Sequence, residues 1–212
     1  SLSPGPALLE KAELYKQVSN MWRITDDFWD KWELLYDMFS RAEKWCTHTG
    51  AGHWPDADML PIGPVRQVES LSNWTNFTRD EQITMMTLWC IFRSPLIIGG
   101  DMRGFDEFTM SLLTREEILK MHQNARHAHQ VWRKETGGAE HILWTAVSAQ
   151  GGQYIAVFNA GETDTEISLP LADLEIYHEV KGQELWSGEE ISGKEVITVH
   201  LNSHGAKVFY VK

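Results

Sequence analysis

Charged side chains lie among large aromatic ones in the segment "MWRITDDFWDKW", residues 21–32. The charged groups that could do chemistry are Arg23, Asp26 and Asp27. Ionised groups are costly to place among apolar rings unless they are paired or used. A carboxylate beside an arginine suits general acid–base chemistry, but it also suits a structural ion pair. In addition, Asp26 or Asp27 can cap a helix that follows, with Asp26 capping and Asp27 facing a cleft.

A second group of candidates lies in "GHWPDADML", residues 52–60. On an extended segment, Asp56 and Asp58 would point the same way. Two such carboxylates suit a metal ion or a polyhydroxylated ligand, whose hydroxyls donate to carboxylate oxygens. The D-x-D-x-D-G loop of a calcium site is absent, so a sugar is favoured, with Trp54 stacking on its ring. A structural turn is the alternative.

These groups need elements to position them, and residues 7–123 show a helical pattern interrupted by short apolar runs. From Asp27 to Cys46, apolar residues recur at spacings of three and four, which predicts an amphipathic helix that begins near Asp27. The stripe consists of Phe28, Trp32, Leu35, Phe39 and Ala42.

Two further helices are predicted from capping boxes, Thr78 with Glu81 and Thr114 with Glu117. Between them, "SPLIIGGDM" is a short apolar run that ends in glycines, and it predicts a buried parallel strand. Short buried strands that alternate with amphipathic helices indicate βα units.

From about Arg126 onward, β-rich runs separated by turn residues predict an antiparallel β domain. The runs are "HILWTAVSA", "QYIAVFNAG", "TEISLPL", "EIYHEV", "EVITVHL" and "AKVFYVK". The boundary falls within residues 122–140, and we divide the chain into 1–125 and 126–212. "QGGQ" at 150–153 indicates a hairpin loop.

Composition excludes some classes of partner. The net charge of −11, with 19 scattered Lys and Arg, argues against nucleic acids and anionic membranes. Cys46 and Cys90 are too few and too far apart for a disulfide framework or a zinc site, and His127 with His129 is expected to be exposed at the domain junction. We predict no membrane span, no metal and no cofactor.

Three motifs resemble the clan-D α-galactosidases of glycoside hydrolase family 27. They are "W-R-x-x-x-D" of Trp22, Arg23 and Asp27, "G-x-W-x-D-x-D-M" of residues 52–59, and "T-R-D-E-Q" leading into "SPLIIGGDM". The motifs fall in family order at family-like spacings over residues 1 to about 123. Beyond residue 126 the resemblance is architectural.

The resemblance implies a (β/α)8 barrel followed by an antiparallel β-sandwich, with this chain carrying the barrel from about strand 5 to helix 8. Asp27 matches the family's acid/base catalyst, Arg23 the arginine beside it, and Asp58 and Met59 residues of the galactose subsite. The nucleophilic aspartate lies in a "K-x-D" motif that nothing here matches, and we expect it upstream. A retaining glycosidase needs both carboxyls, about 5 Å apart.

Two departures from the family pattern bear on the substrate. Ala57 stands where many galactosidases have proline, so the loop backbone can differ. Ser3 occupies the position of a glutamate near the sugar's 2-position, with Pro6 nearby, and so leaves room for a 2-acetamido group.

The sequence therefore predicts the C-terminal half of a retaining hydrolase of terminal α-galactosides, with Asp27 as catalyst and Arg23, Trp54, Asp58 and Met59 lining the sugar site. The alternatives are an α-N-acetylgalactosaminidase and a non-catalytic, carbohydrate-binding barrel remnant. The expected partners are an α-galactoside or α-N-acetylgalactosaminide and the N-terminal half of the barrel, and a homo-oligomer is compatible with the sequence. The compartment stays open, with a secreted or periplasmic location slightly favoured.

Overall fold

The structure is a computed structural model that describes residues 1–66 and 73–212. The helices are α1 (Ala12–Val18), α2 (Trp32–Trp45), α3 (Arg79–Phe92), α4 (Glu107–Thr114) and α5 (Glu116–Asn124). The strands are β1 (Met21–Arg23), β2 (Trp54–Asp56), β3 (Ala125–Thr136), β4 (Ala139–Ser148), β5 (Gln153–Asn159), β6 (Thr165–Pro170), β7 (Val180–Glu184), β8 (Glu190–Gly193), β9 (Val196–Leu201) and β10 (Ala206–Val211). No helix of these described ranges is long and apolar enough to cross a bilayer.

The first part of the chain is built from βα units, as predicted. Strands β1 and β2 pair in parallel, and α2 connects them. Single parallel bridges extend this arrangement at both sides, from Leu2 to Trp22 and from Leu60 to Ile98. Parallel strands connected by helices that pack outside them form one part of a (β/α)8 barrel.

The predicted buried strand in this part of the chain was wrong. The run "SPLIIGGDM" forms only the bridge at Ile98, and Ile97 and Ile98 are 41% and 38% exposed, because this edge has no further strand beside it in the described ranges. The segment is therefore an open edge and not a buried strand.

The predicted start of α3 is confirmed, whereas the predictions for the starts of α5 and α2 were wrong. Thr78 and Glu81 form the expected capping box at the start of α3. At α5 the predicted box is absent, since the Thr114 hydroxyl donates to the Met110 carbonyl one turn back and closes α4 instead. Helix α2 begins at Trp32, several residues later than predicted.

The second part of the chain is an antiparallel β domain with two sheets. One has the strand order β3-β4-β5-β10-β7-β8, and the other pairs β6 with β9. Alternation along β4 and β5 divides their side chains between two cores. Leu143 and Ile155 face the two-stranded sheet, whereas Trp144 and Ala156 belong to the core shared with the helices.

The run "EIYHEV" was wrongly predicted as a strand. The run follows a 3-10 turn, Leu171–Leu174, and only its last residue, Val180, lies in a strand. Ile176 fills the core, whereas Tyr177 is 80% exposed. The hairpin at Gly151 and Gly152 is as predicted, with positive φ at both residues.

The two parts pack on each other through α2 and α3. Phe39 of α2 meets Phe158 of β5 edge to face at 4.9 Å. His204, in the turn before β10, stacks on Trp32 at 3.6 Å, and its Nδ1 lies 2.8 Å from a carboxylate oxygen of Glu81. The six-stranded sheet is thus covered on one face by helices and on the other by β6 and β9.

Candidate active site

Three charged side chains meet where β1 and β2 end. Arg23 is the last residue of β1, and its Nη2 donates to Oδ1 of Asp27 at 2.8 Å. Nη1 of the same guanidinium lies 3.3 Å from Oδ1 of Asp58, two residues beyond the end of β2. The carboxyl ends of parallel barrel strands are where such folds build their sites, so Arg23 joins two carboxylates at the expected edge.

Asp58 is held at this edge through both its backbone and its side chain. Its amide donates to Oδ1 of Asp56 at 2.9 Å, and its carbonyl accepts from Nε1 of Trp89 at 3.1 Å. The Phe28 amide donates to its Oδ2 at 2.8 Å. These bonds fix a left-handed backbone with φ of 76°, a conformation that aspartate tolerates better than most residues.

This geometry corrects the prediction for the two aspartates. Asp56 and Asp58 do not point the same way on an extended segment, because the chain turns at Asp58. Asp56 is only 2% exposed and accepts a hydrogen bond within the loop, whereas the Asp58 side chain is 14% exposed beside Arg23. Asp56 therefore positions Asp58 instead of sharing a ligand with it.

The structure also rules out the helix-cap interpretation of Asp26 and Asp27. Both lie in the loop between β1 and α2, and Lys31 occupies the N-cap position with no side-chain cap. The Asp27 side chain is 83% exposed and is oriented by Arg23. The neighbouring Phe28 ring turns into the core, where its centroid lies 4.9 Å from that of Trp89.

The charges of the cluster shift two pKa values. Burial alone would lower the pKa of Arg23, but the hydrogen bond to Asp27 and the charge of Asp58 outweigh it and raise the pKa. Burial raises the pKa of Asp56, and the neighbouring charge of Asp58 adds to this. The guanidinium therefore stays charged as the bridge between two carboxylates.

Met59 and Ser3 flank this cluster. Met59 packs on Gly99, where an added Cβ would lie 2.5 Å from the Met59 sulfur. Ser3 is exposed, and the segment that contains it is hydrogen-bonded to the backbone of Arg23 on both sides. The Arg23 amide donates to the carbonyl of Leu2 at 3.0 Å, and the Arg23 carbonyl accepts from the amide of Ala7 at 3.1 Å. The roles of Ser3, Met59, Arg23 and Asp27 toward a sugar stay predictions.

Trp54 does not join the cluster. It is the first residue of β2, at the opposite end of the strand from Asp58, and the guanidinium of Arg93 lies 4.7 Å from its ring centroid. The predicted stacking of Trp54 on the sugar is therefore wrong, because strand direction carries its ring to the other end of the barrel.

Sequence reasoning missed Asp30, which anchors the loop that carries Asp27. Asp30 is 2% exposed, and its carboxylate accepts from the Arg66 side chain and from the Asn76 amide. The signal was present, because a third aspartate in an aromatic segment needs a partner when it is buried. Among the residues that the structure describes, no group of three or more His, Cys, Asp or Glu side chains could hold a metal ion.

The family model described as "Alpha galactosidase A" matches residues 8–124. The chain belongs to the α-galactosidase family, glycoside hydrolase family 27. A second model of the α-galactosidases, their C-terminal β-sandwich domain, matches residues 138–211. The predicted fold class, part of a (β/α)8 barrel followed by an antiparallel β-sandwich, is confirmed.

Three relatives within the α-galactosidase family illustrate the range of similarity. A family 27 β-L-arabinopyranosidase from Geobacillus stearothermophilus is 46% identical, with a TM-score of 0.92 over 99% of this chain and 49% of that one. A candidate α-N-acetylgalactosaminidase from Bacillus halodurans is 39% identical, with a TM-score of 0.78 over 89% and 44%. α-Galactosidase D of Emericella nidulans is 26% identical over 89% of this chain and 28% of its own length. The chain thus spans half or less of each relative.

Proposed function

We propose that the protein containing this chain is a retaining glycoside hydrolase that releases terminal α-linked galactose, with Asp27 as the general acid/base. The observation that supports the proposal is the Arg23 guanidinium between Asp27 and Asp58, at the strand edge where family 27 motifs predict the sugar site. An exposed carboxyl held by an arginine can protonate a leaving oxygen and later deprotonate water.

Each group of the cluster has a role in this proposal. Asp58, fixed by its surrounding hydrogen bonds, accepts from sugar hydroxyls with the lone pairs that its protein partners leave free. Arg23 orients Asp27 toward the leaving group and neutralises part of its charge. The nucleophile is a carboxylate about 5 Å from Asp27, contributed by the part of the barrel outside this chain.

That remaining part of the barrel is the proposed partner of the open edges. Leu8, Leu9, Leu14 and Val18 lie in or just before α1 and are all more than two-fifths exposed, and Ile97 and Ile98 are exposed at the other edge. Exposed apolar clusters of this kind mark interaction surfaces. Strands and helices of the same barrel would cover both edges and complete the site.

A second candidate substrate is a terminal β-L-arabinopyranoside. The observation that favours it is the 46% identity to the Geobacillus stearothermophilus enzyme, against 26% to α-galactosidase D. β-L-Arabinopyranose has the ring configuration of α-D-galactopyranose without the C6 hydroxymethyl group. The groups described above, which we assign to the ring hydroxyls and the glycosidic oxygen, would therefore serve both sugars.

The test compares kcat/KM of the full-length protein for the aryl α-D-galactopyranoside, the β-L-arabinopyranoside and the 2-acetamido galactoside. We expect turnover of one of the first two, with retention of anomeric configuration, and the preferred sugar decides between the candidates. Tolerance of the 2-acetamido sugar is expected if Ser3 lies beside the 2-position, and Ser3→Glu should abolish it. Absence of turnover of all three would leave only the non-catalytic alternative.

A further inference from the structure

A cavity of about 590 Å³ lies at the junction of the two parts, at the end of β2 opposite Asp58. Trp54, the carboxyl end of α3 and the first residues of β3 contribute to its wall. The side chains that matter for its chemistry are Trp54, Arg93, Arg126, His127 and His129. No residue proposed for the sugar site, Arg23, Asp27, Asp58 or Met59, lines it.

Two guanidinium groups dominate this cavity, and within the part of the chain that the structure describes their hydrogen bonds go to neutral acceptors. Nε of Arg93 donates to the carbonyl of His122 at 3.0 Å, while its guanidinium covers the Trp54 ring. Nη1 of Arg126 donates to the carbonyls of Gln123 and Ala125. Burial lowers the pKa of Arg93, and the positive charge of Arg126 lowers it further. Two like charges therefore line the same cavity in a chain whose net charge is −11.

The backbone at this cavity is strained at two residues. Arg93 ends α3 with φ of 67°, and His127 has φ of 54° at the irregularity in β3. Both lie in the left-handed region, which glycine occupies at lower cost. Strain of this kind is concentrated at sites where a particular side chain is required. The two positions carry an arginine and a histidine that line the same cavity.

We propose that this cavity is a second binding site, which takes a small molecule carrying an oxyanion. A guanidinium presents paired N–H donors that match a phosphate or carboxylate, and an anion between Arg93 and Arg126 would relieve their repulsion. Trp54 and Phe92 give the cavity an apolar wall for the body of the ligand. The cavity is large enough for a sugar phosphate or a uronic acid.

The test is calorimetric titration of the full-length protein with inorganic phosphate and with galacturonate, at constant ionic strength. Galactose is added at saturation first, so that the sugar site is filled. We expect one or both anions to bind, and the anion that binds identifies the source of the oxyanion. Arg93→Gln and Arg126→Gln should each weaken binding about tenfold or more, because each removes a charged donor.

The matched control is Arg103→Gln, an exposed arginine paired with Asp101 outside this cavity. It should leave anion binding unchanged, and all three variants should retain the turnover of the parent protein. Circular dichroism and the melting temperature establish that each variant is folded. Failure of both anions to bind the parent protein, or equal anion binding by the two cavity variants and the parent, would overturn the proposal.

Discussion

At the scale of single residues, the candidate site depends on how firmly Asp58 is held. Its amide, its carbonyl and both side-chain oxygens have protein partners, and two of these partners, Phe28 and Trp89, belong to the core. A carboxylate fixed in this way needs little reorganisation when a ligand arrives, which favours tight and selective binding. Among the described residues Asp27 has one partner, Arg23, and its side chain is exposed, as a group that must exchange protons can be.

Asp27→Asn in the full-length protein should keep the fold and lower kcat/KM about 10²- to 10⁴-fold on a disaccharide, because the leaving oxygen loses its proton donor. An activated phenol leaves without a proton, so the loss should be smaller on such a substrate. Added azide should restore the second step, because it attacks the glycosyl-enzyme without base help. Steady-state kinetics with both substrates measure this.

Asp26→Asn is the matched control, because Asp26 is exposed in the same loop and forms neither of the contacts of Arg23 to a carboxylate. It should change activity little. If azide rescued the Asp26 variant and not the Asp27 variant, the acid/base role would belong to the neighbouring residue.

Asp56 gives a pH-dependent prediction. Because burial raises its pKa, the folded protein takes up a proton more readily than the unfolded chain, whose ordinary aspartate pKa is about 3.9. The contribution of Asp56 to the free energy of unfolding is therefore complete below that value and is lost as pH rises through the raised pKa. Asp56→Asn cannot ionise and keeps an acceptor for the Asp58 amide. Its free energy of unfolding relative to the parent should rise with pH.

Denaturant titrations at several pH values between about 3 and 7 measure this difference. Asp56→Ala is the comparison, because it removes the acceptor itself and should cost about 1–3 kcal/mol and raise KM. A pH-independent difference for Asp56→Asn would contradict the assignment of the raised pKa.

At the scale of elements, Met59 depends on two glycines beyond α3. An added Cβ at Gly100 would clash with the carbonyl oxygen of Ile62, whereas at Gly99 it would meet the flexible Met59 side chain. Gly99 and Gly100 are thus required because their backbone lies close to the backbone of residues 60–62. The sequence prediction of a buried strand took the apolar residues before these glycines for a buried run.

Gly100→Ala should destabilise the protein by about 1–3 kcal/mol, because the clash is with backbone that cannot move freely. Gly99→Ala should cost less stability but displace Met59 and raise KM for the sugar. Gly50→Ala is the control, since a Cβ there meets nothing within 4 Å. Thermal unfolding and steady-state kinetics of the three variants distinguish these effects, and equal melting temperatures for Gly50→Ala and Gly100→Ala would be contrary to expectation.

An element could be predicted when its pattern lies within a few neighbouring residues of the sequence. The capping box of α3 is local, and so are the alternating runs of β4 and β5. Strands β1 and β2 are three residues long, too short for a periodicity, and the sequence drew attention to these segments only through their charged residues. Strand β3 was missed because its outer residues are polar and exposed at the sheet edge. The turn at Asp58 depends on partners distant in sequence, Phe28 and Trp89, that no local pattern shows.

At the scale of the whole molecule, the arrangement of the two parts was foreseen only through the family resemblance. Their contact surface is made of residues that look unrelated in sequence, such as Trp32, Glu81 and His204. Hydrogen bonds from Trp186 to Thr87 and from Arg115 to the carbonyl of Leu185 add to it. One face of the six-stranded sheet belongs to the core of the β domain, and its other face belongs to the core shared with the helices of the first part.

His204→Ala should lower the free energy of unfolding by about 2 kcal/mol, because it removes the stacking on Trp32 and leaves the Glu81 carboxylate without this partner. His200→Ala is the control, since His200 is exposed on β9. Denaturant unfolding followed by tryptophan fluorescence measures both variants. Equal stability of the two would show that the His204 contact carries no net energy.

The position of Trp32 gives the same contact a further consequence. Trp32 is the first residue of α2, and the loop that carries Asp27 ends directly before it. A residue of the β domain therefore holds the end of the loop at Trp32, and the ion pair of Asp30 with Arg66 holds the loop two residues earlier. For protein engineers, the β domain is then no exchangeable module. A chimera that takes this domain from a distant homologue would loosen the loop that carries Asp27 unless the His204 turn is transplanted with it.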